Sequence, residues 1–123
     1  MSDLADKARV KEFVVKRLGT QWVTPTLRHG DVLPIEPCWP TPFVVKSRHG
    51  CNQRAFVRSE TEDWPKLRRR AARWTTALYG RWLDEWANSN IPRGIMVKPF
   101  IGSAGQLPID WKLFVIEGRV RFV

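Results

Sequence analysis

Residues 43–57 read FVVKSRHGCNQRAFV, and the predicted fold is organised around this stretch. The β-branched run at 43–45 predicts a buried strand that ends at Lys46, and a polar turn containing Gly50 leads to a second apolar run at 54–57. Backbone N–H groups in such a turn, next to a lysine held by a strand, can bind phosphate. Lysine also ends many strands because its ammonium group reaches water there. The stretch therefore predicts a β-hairpin and leaves a functional role for Lys46 open.

The composition is that of a small, basic, globular protein. The chain has 123 residues, of which 43% are hydrophobic and 27% charged, as expected for one domain with one core. No apolar run approaches the roughly 20 residues that span a bilayer, and the acidic amino terminus MSDLAD lacks the apolar segment of a signal peptide. We therefore expect a cytoplasmic protein without a transmembrane segment, and attachment to the periphery of the inner membrane stays open.

The charge of the chain indicates a polyanionic partner. The formal net charge is +9, which suits a nucleotide or phosphosugar, a nucleic acid or an anionic membrane surface. The chain also has seven tryptophans, and this number of large rings predicts either a strongly aromatic core or a surface that a partner covers. Net charge alone does not choose among these partners.

Apolar spacing predicts helices on both sides of the hairpin. A helix over 6–18 is expected to end at Gly19, and a second helix is expected to begin after a cap at Asp63 or Thr61. The proline-rich segment 29–42 excludes helix and places Trp39 against the sheet as a plug. The buried stripe of the second helix consists of Leu67, Ala71, Trp74 and Leu78. Shorter elements are expected at 21–23 (extended), 26–28 (edge strand), 82–86 (helix), 95–97 (strand) and 102–105 (loop), and strands at 111–116 and 119–123 close a hairpin around Glu117-Gly118.

The second helix also has a strongly basic face, which is the best nucleic-acid signal in the sequence. A solvated helix face explains the same pattern, because the aromatic residues of this helix follow its buried stripe and do not alternate with the arginines to stack bases. This comparison favours the solvated face over a nucleic-acid partner. The basic residues are Lys66, Arg68, Arg69, Arg70 and Arg73.

The order of motifs along the chain resembles the TupA-like ATP-grasp family of bacterial polysaccharide and teichuronopeptide biosynthesis. The residues that carry the resemblance are Asp6-Lys7 with Val10 and Phe13, FVVK at 43–46 followed by His49-Gly50, Ile91-Pro92-Arg93, and LPIDWKLF at 107–114 continuing through Gly118 to Phe122. The resemblance implies an α+β fold, with an ATP-grasp-like small subdomain made of an antiparallel sheet and helices packed on it. It further implies one domain over 1–123, in which 1–42 form the leading helix and connector and 43–123 form the nucleotide-binding subdomain.

The resemblance also implies a set of ATP-binding residues, although none of these would be catalytic. By position, two lysines would reach the phosphates, the hairpin loop would fold over them, a hinge would hold the adenine, and an aspartate and a final lysine would reach the ribose and a phosphate. In that order the residues are Lys7 and Lys46; His49, Gly50, Cys51, Asn52 and Gln53; Val97, Lys98 and Phe100; Asp110; and Lys112. The sequence departs from the family at 51–53, where small residues are usual, and at Lys98-Pro99, where an acidic residue is common.

The family's magnesium ligands belong to strands that follow the final hairpin, so the resemblance implies Mg²⁺ for the complete family and no metal ligands in this chain. Complete members are expected to activate a carboxylate with ATP as an acyl phosphate and to join it to an amine or thiol nucleophile, with a carbohydrate or amino acid as substrate. Because phosphoryl transfer needs metal to neutralise the phosphates, this chain is expected to bind ATP without turning it over. It would then be a fragment or a shortened homologue.

Two other classes of function stay open beside the nucleotide-binding prediction. The chain would be a non-catalytic interaction module if its final strand, which is apolar, pairs with another chain or with a second copy of itself. It would be a nucleic-acid binder if the basic helix face contacts phosphates. The apolar final strand also predicts marginal stability or self-association.

Overall fold

The computed structural model describes residues 2–76, 90–103 and 106–123, which form an α+β protein with antiparallel sheets. The helices are α1 (Ser2–Ala5), α2 (Arg9–Leu18) and α3 (Trp64–Thr76). The strands are β1 (Arg28–Gly30), β2 (Phe43–Ser47), β3 (Arg54–Val57), β4 (Ile95–Pro99), β5 (Phe114–Ile116) and β6 (Arg119–Phe122). Three predictions fall wholly or partly outside the described residues: the helix at 82–86, the stripe residue Leu78 and part of the 102–105 loop.

The predicted hairpin forms the centre of a four-stranded sheet. The strand order is β1-β4-β2-β3, and all three neighbouring pairs are antiparallel. In the register of β2, Val45 lies opposite Ala55 on β3 and opposite Val97 on β4. The prediction of a strand–turn–strand unit at 43–57 is therefore confirmed. So is the predicted strand at 95–97, which continues to Pro99.

One face of this sheet packs against α3 and forms the core. Because side chains alternate across a strand, Phe43 and Val45 point to the same face, where each is 1% exposed or less. Burying a side chain of this kind stabilises the fold by roughly 1.5–3 kcal/mol. The core residues on this face and on the elements that cover it are Leu33, Phe43, Val45, Val57, Trp64, Ala71, Trp74, Ile95 and Val97.

The proline-rich connector closes the core at one end, as predicted. Trp39 packs edge to face against Phe43, with ring centroids 5.6 Å apart, and against Trp64, at 6.5 Å. The indole N–H of Trp64 donates to the Pro34 carbonyl at 3.1 Å, which ties the connector to α3. The plug prediction for Trp39 is confirmed.

Helix α3 begins as the sequence predicts. The Asp63 carboxylate accepts a hydrogen bond from the backbone N–H of Lys66 at 2.9 Å, so Asp63 caps the helix. Pro65 lies in the first turn, where its missing N–H removes no intrahelical bond. Ala71 and Trp74 are buried and Leu67 packs against them, so the described part of the predicted stripe is confirmed.

Three predictions for the amino-terminal third were wrong in detail. Helix α2 begins at Arg9, not at residue 6, because the chain turns at Asp6 to form a buried ion pair. Residues Thr20–Trp22 form a 3₁₀ helix where an extended segment was expected. The edge strand begins at Arg28 and ends at Gly30, two residues later than predicted, because residues 28–30 pair with β4.

The apolar residues whose spacing predicts the first helix are not buried. Helix α2 has no buried residue, and Phe13 and Leu18 are 42% and 59% exposed. The guanidinium of Arg17 lies 3.8 Å from the centre of the Phe13 ring and covers one side of it. Polar contacts to the sheet, described below, hold this helix in place.

Strands β5 and β6 form the predicted terminal hairpin as a separate two-stranded sheet. Its turn residues Glu117 and Gly118 have φ angles of 51° and 73°, and two positive φ values are what a tight two-residue turn of this hand requires. The apolar side chains of the hairpin lie at the surface, with Phe114 60% and Phe122 66% exposed. The sequence expectation that the first strand starts at 111 was wrong, since β5 starts at Phe114.

Within the described ranges, none of the helices combines the length and the apolar character needed to cross a bilayer.

Candidate anion-binding site

The second face of the four-stranded sheet carries a cavity of about 220 Å³. The alternation that sends Phe43, Val45 and Ser47 to the core sends Val44 and Lys46 to this face. We call the cavity the lysine cavity. The side chains that line it and enter the argument below are Val44, Lys46, Arg54, Phe56, Lys98 and Phe100.

The sheet register concentrates positive charge in the lysine cavity. Lys46 on β2 lies directly opposite Arg54 on β3, and Lys98 on β4 lies two residues from the β4 partner of Lys46. Like charges directly opposite each other destabilise an antiparallel pair. Among the described residues that line the cavity there is no carboxylate to compensate them. A bound anion would offset this repulsion.

Helix α2 brings further ammonium groups to the same region. Lys11 donates from Nζ to the Thr24 carbonyl and, at 2.7 Å, to the Thr26 hydroxyl. Its ammonium group also lowers the pKa of Lys98, by its charge and by a hydrogen bond that only the neutral Lys98 amine can accept. Lys7 lies in the turn that precedes α2, and its Nζ donates to the carbonyls of Arg48 at 3.3 Å and Gly50 at 2.5 Å.

The pKa values of the cavity lysines reflect this crowding. Burial lowers the pKa of Lys98 to about 8, and the charges of Lys46, Lys11 and Lys7 and the hydrogen bond from Lys11 add to the effect. Burial, followed by the charge of Arg54, lowers the pKa of Lys46. Burial also lowers the pKa of Lys11. A nearby negative charge would act in the opposite direction on each of these pKa values, because it favours the charged form.

A buried ion pair fixes the start of α2 to the end of β2. The Asp6 carboxylate is 2% exposed and accepts from Arg48 Nε at 2.7 Å and from Arg48 Nη2 at 2.5 Å, a two-point geometry that fixes the orientation of both groups. Burial acts to raise the pKa of Asp6, but the bonds from Arg48 and from the Ala8 N–H, together with the Arg48 charge, outweigh it and lower that pKa. This pair sets the position of Lys7 and Lys11 over the sheet.

The first residues of the hairpin loop make hydrogen bonds to other groups of the protein. The His49 ring is buried, its Nε2–H donates to the Trp74 carbonyl at 2.9 Å, and burial lowers its pKa although that hydrogen bond acts in the other direction. The Gly50 N–H donates to the Ser47 hydroxyl at 3.0 Å, and a side chain at residue 50 would meet Gln53 Oε1 at 2.1 Å. The His49 ring and the Gly50 N–H therefore already have partners within the protein, although the resemblance assigned both residues to phosphate binding.

The rest of the loop does not contribute to the lining of the lysine cavity. Cys51 and Asn52 are exposed, and Asn52 has a φ of 56°, a left-handed conformation that asparagine tolerates. Gln53 is half-buried, and its carbonyl accepts from the Ser47 N–H at 3.0 Å. None of the residues 49–53, all of which are described, lines the cavity.

Of the predicted adenine hinge, two side chains reach the cavity. Lys98 and Phe100 line it, and the Phe100 ring packs edge to face on Phe56 with centroids 6.0 Å apart. Val97 belongs to the core, and its carbonyl accepts from the Leu27 N–H at 2.8 Å, so that group is already used. The Phe100 N–H donates to the Pro42 carbonyl at 3.2 Å.

The predicted ribose and phosphate residues of the final segment lie apart from the cavity lining. Asp110 and Lys112 form an ion pair with each other at 3.7 Å, and each side chain is 79% exposed. An exposed pair of this kind contributes little to stability. The structure thus groups Lys46, Lys98 and Phe100 in the lining of the cavity, to which Lys7, Asp110 and Lys112 do not contribute.

Sequence reasoning missed Lys11, Arg54 and Phe56. A signal for each was present. Lys11 follows Lys7 by four residues, which is the spacing of neighbours on a helix. Arg54 and Phe56 alternate with the core residues Ala55 and Val57, so period-two reasoning applied to β3 would have assigned them to the face of Lys46.

Comparisons with family models, curated proteins and solved structures found no match to this chain. The described residues also contain no group of three or more histidine, cysteine, aspartate or glutamate side chains placed to hold a metal ion. The site is therefore characterised by its own geometry, which is that of a cationic, partly aromatic cavity.

The crowding of Lys98 predicts an unusual dependence of stability on pH. Its pKa is about 8 in the folded protein and returns to the ordinary 10.5 on unfolding, so between these values the unfolded chain binds more protons. Stability therefore rises with pH across this window, and little of this gain is present below pH 8. Thermal unfolding followed by circular dichroism between about pH 7 and about pH 10 measures it. Lys98→Met is expected to be more stable than wild type at neutral pH and to flatten the curve; an unchanged slope in this variant would contradict the assignment.

Proposed function

We propose that this chain binds ATP or a closely related nucleotide in the lysine cavity. The observation that carries the proposal is the convergence of Lys46, Lys98 and Arg54 beside the rings of Phe56 and Phe100. Cations held on strands suit the phosphates, whereas aromatic and aliphatic side chains suit the base. Burial and the charges of the neighbouring lysines together lower the pKa of Lys98 to about 8, which is the kind of local conflict that a bound anion relieves.

The size of the cavity is suited to one part of the nucleotide and not to the whole of it. At about 220 Å³ it is smaller than the roughly 300–1,000 Å³ of pockets that enclose a whole drug-sized ligand. We therefore place the base against Phe100 and Val44 inside the cavity. The phosphates would extend past Lys46 and Lys98 toward Lys11 and Lys7.

The resemblance to TupA-like ATP-grasp proteins supports ATP as the nucleotide and polysaccharide biosynthesis as the setting. On this proposal the chain is the nucleotide-binding portion of an ATP-grasp ligase-like protein. The described residues contribute no ligand set for Mg²⁺, so the proposal covers binding, and no step of turnover is assigned to them. Lys46 and Lys98 would hold the phosphates whether or not the nucleotide is turned over.

The test is a comparison of ligands by isothermal titration calorimetry. Because each phosphate adds charge that Lys46 and Lys98 can contact, we expect ATP to bind more tightly than ADP, ADP more tightly than AMP, and adenosine least. Inorganic tripolyphosphate serves as the control for charge alone and is expected to bind more weakly than ATP, because it lacks a base for Phe100. Equal affinities for adenosine and ATP, or no binding at millimolar ATP, would contradict the proposal.

The exposed terminal hairpin supports a second role in self-association. Its apolar side chains, among them Val115 at 58% and Val120 at 53% exposed, form a surface that water solvates poorly. We expect sedimentation velocity to show a mass that rises with protein concentration. The double variant Val115→Lys with Val120→Lys should sediment as a monomer with an unchanged circular dichroism spectrum. A concentration-independent monomer mass for the wild type would exclude this role.

A further inference from the structure

Strand β3 lies at an edge of the four-stranded sheet, where its outer backbone groups are directed away from β2. In the β2–β3 pairing, the Ser47 N–H donates to the Gln53 carbonyl at 3.0 Å, which makes these two residues a hydrogen-bonded pair. Hydrogen-bonded and non-bonded pairs alternate along an antiparallel ladder. Ala55 therefore faces β2, whereas Arg54 and Phe56 direct their N–H and C=O groups outward.

The position of Arg70 confirms the outward direction of the Arg54 carbonyl. Arg70 extends from α3 and donates from Nη2 to that carbonyl at 3.3 Å, from outside the sheet. The bond is exposed and made by a flexible side chain, so a backbone N–H can replace it. The outer edge of β3 thus presents hydrogen-bonding groups that are accessible to an incoming strand.

A groove of about 540 Å³ runs between this edge and α3. We call it the β3 groove. Its cations are Arg54, Arg58, Lys66 and Arg70, and its apolar side chains include Phe56 and Leu67. Two carboxylates, Glu62 and Asp63, also line it, but Asp63 is engaged in capping α3. The groove therefore combines an open strand edge, an apolar floor and an excess of positive charge.

We propose that the β3 groove binds an extended acidic peptide, which adds to the outer edge of β3 as a further antiparallel strand. Successive side chains of an added strand point to opposite faces of the sheet. Acidic side chains on one face would meet Lys66 and Arg70 of α3. Apolar side chains on the other face would lie beside Phe56. Main-chain bonds to Arg54 and Phe56 would supply affinity that is independent of sequence.

Charge complementarity selects this occupant over the alternatives. A second copy of this chain, paired through its own β3, would bring Arg54 and Arg58 of both molecules together, and like charges on paired strands are destabilising. A nucleic acid would satisfy the cations through its phosphates but would leave the strand edge unpaired. An acidic strand satisfies both features.

This inference goes beyond the nucleotide proposal and does not depend on it. Arg54 and Phe56 line both the β3 groove and the lysine cavity, whereas Arg58 and Lys66 line the groove and not the cavity. Variants at Arg58 and Lys66 therefore alter the groove without removing a side chain from the cavity. ATP binding measured on the same variants should be unchanged.

The experiment measures fluorescence anisotropy of a labelled peptide alternating glutamate and valine, acetyl-Glu-Val-Glu-Val-Glu-Val-Glu-Val-amide, with the full chain. The double variant Arg58→Glu with Lys66→Glu is expected to weaken binding by about tenfold or more. The matched control is Arg69→Glu with Arg73→Glu, which makes the same charge change on α3 at residues that do not line the groove. The control should bind nearly as well as the wild type.

Two N-methylated versions of the peptide test the strand edge directly. Each carries methyl groups on alternate residues, so one version loses the N–H groups that face β3 and the other loses those that face away. We expect the first version to bind at least about tenfold more weakly than the second. Equal binding of both versions at the level of the unmodified peptide would overturn the proposal, as would no binding at millimolar protein. Tighter binding of an oligothymidylate, lost in the Arg58 and Lys66 variant, would instead identify a nucleic-acid surface and overturn it.

Discussion

Replacing Arg48 with alanine is expected to destabilise the protein by about 3–5 kcal/mol, because it leaves a buried carboxylate without its partner. Asp6 is 2% exposed and receives two hydrogen bonds from Arg48. Small domains have a stability of only about 5–15 kcal/mol, so the loss is a large part of the total. Urea unfolding followed by tryptophan fluorescence measures the change.

The control for Arg48→Ala uses the second cation near the same carboxylate. Arg9 lies 3.9 Å from Asp6 and its side chain is 56% exposed, so Arg9→Ala should change stability by less than about 1 kcal/mol. The effect of Arg48→Ala should also shrink as the pH falls below 3.8, the ordinary pKa of aspartate, because Asp6 can then be protonated in the variant. A loss that is equally small in both variants would show that the pair does not hold α2 on the sheet.

Replacing Lys46 or Lys98 with alanine is expected to weaken ATP binding by about tenfold to a hundredfold each. Both ammonium groups line the lysine cavity from adjacent strands, and a hydrogen bond to a charged group contributes more than a neutral one. Because the two lysines act on the same ligand, the double variant is expected to deviate from additivity. Isothermal titration calorimetry with ATP gives the three affinities.

Lys112→Ala distinguishes the phosphate site that the structure indicates from the one that the resemblance implies. The resemblance assigns a phosphate contact to Lys112, whereas its side chain is 79% exposed and pairs with Asp110. We expect this variant to bind ATP as the wild type does. A loss as large as that of Lys46→Ala would move the phosphates from the lysine cavity to the terminal segment.

The central sheet could be predicted from the sequence because its pattern is local. The apolar run at 43–45, the turn around Gly50 and the run at 54–57 identify β2 and β3 without knowledge of their neighbours. The same holds for the turn Glu117-Gly118, whose positive φ angles follow from its composition. Apolar periodicity and turn chemistry act over a few residues, so they can be read directly.

The candidate site could be predicted only in part because it depends on register. Lys46 stood out as the end of a strand, but its position opposite Arg54 and near Lys98 follows from which residues of β2, β3 and β4 lie side by side. The Asp6–Arg48 pair spans residues 42 positions apart, and no local pattern reveals it. His49 was assigned to phosphate for its place in a loop, whereas the fold turns its ring inward to Trp74.

The most direct test of the account is the pKa of Lys98 with and without ATP, measured by NMR of ¹³C-labelled lysine side chains. Without ligand we expect a value of about 8, since burial and the neighbouring lysines oppose its charge. Bound phosphate would favour the protonated form, so saturating ATP should raise the pKa toward the ordinary 10.5. A value near 8 that ATP leaves unchanged would contradict the claim that the lysine cavity holds the nucleotide. This holds whether the Lys112 resonance shifts instead or no lysine resonance shifts.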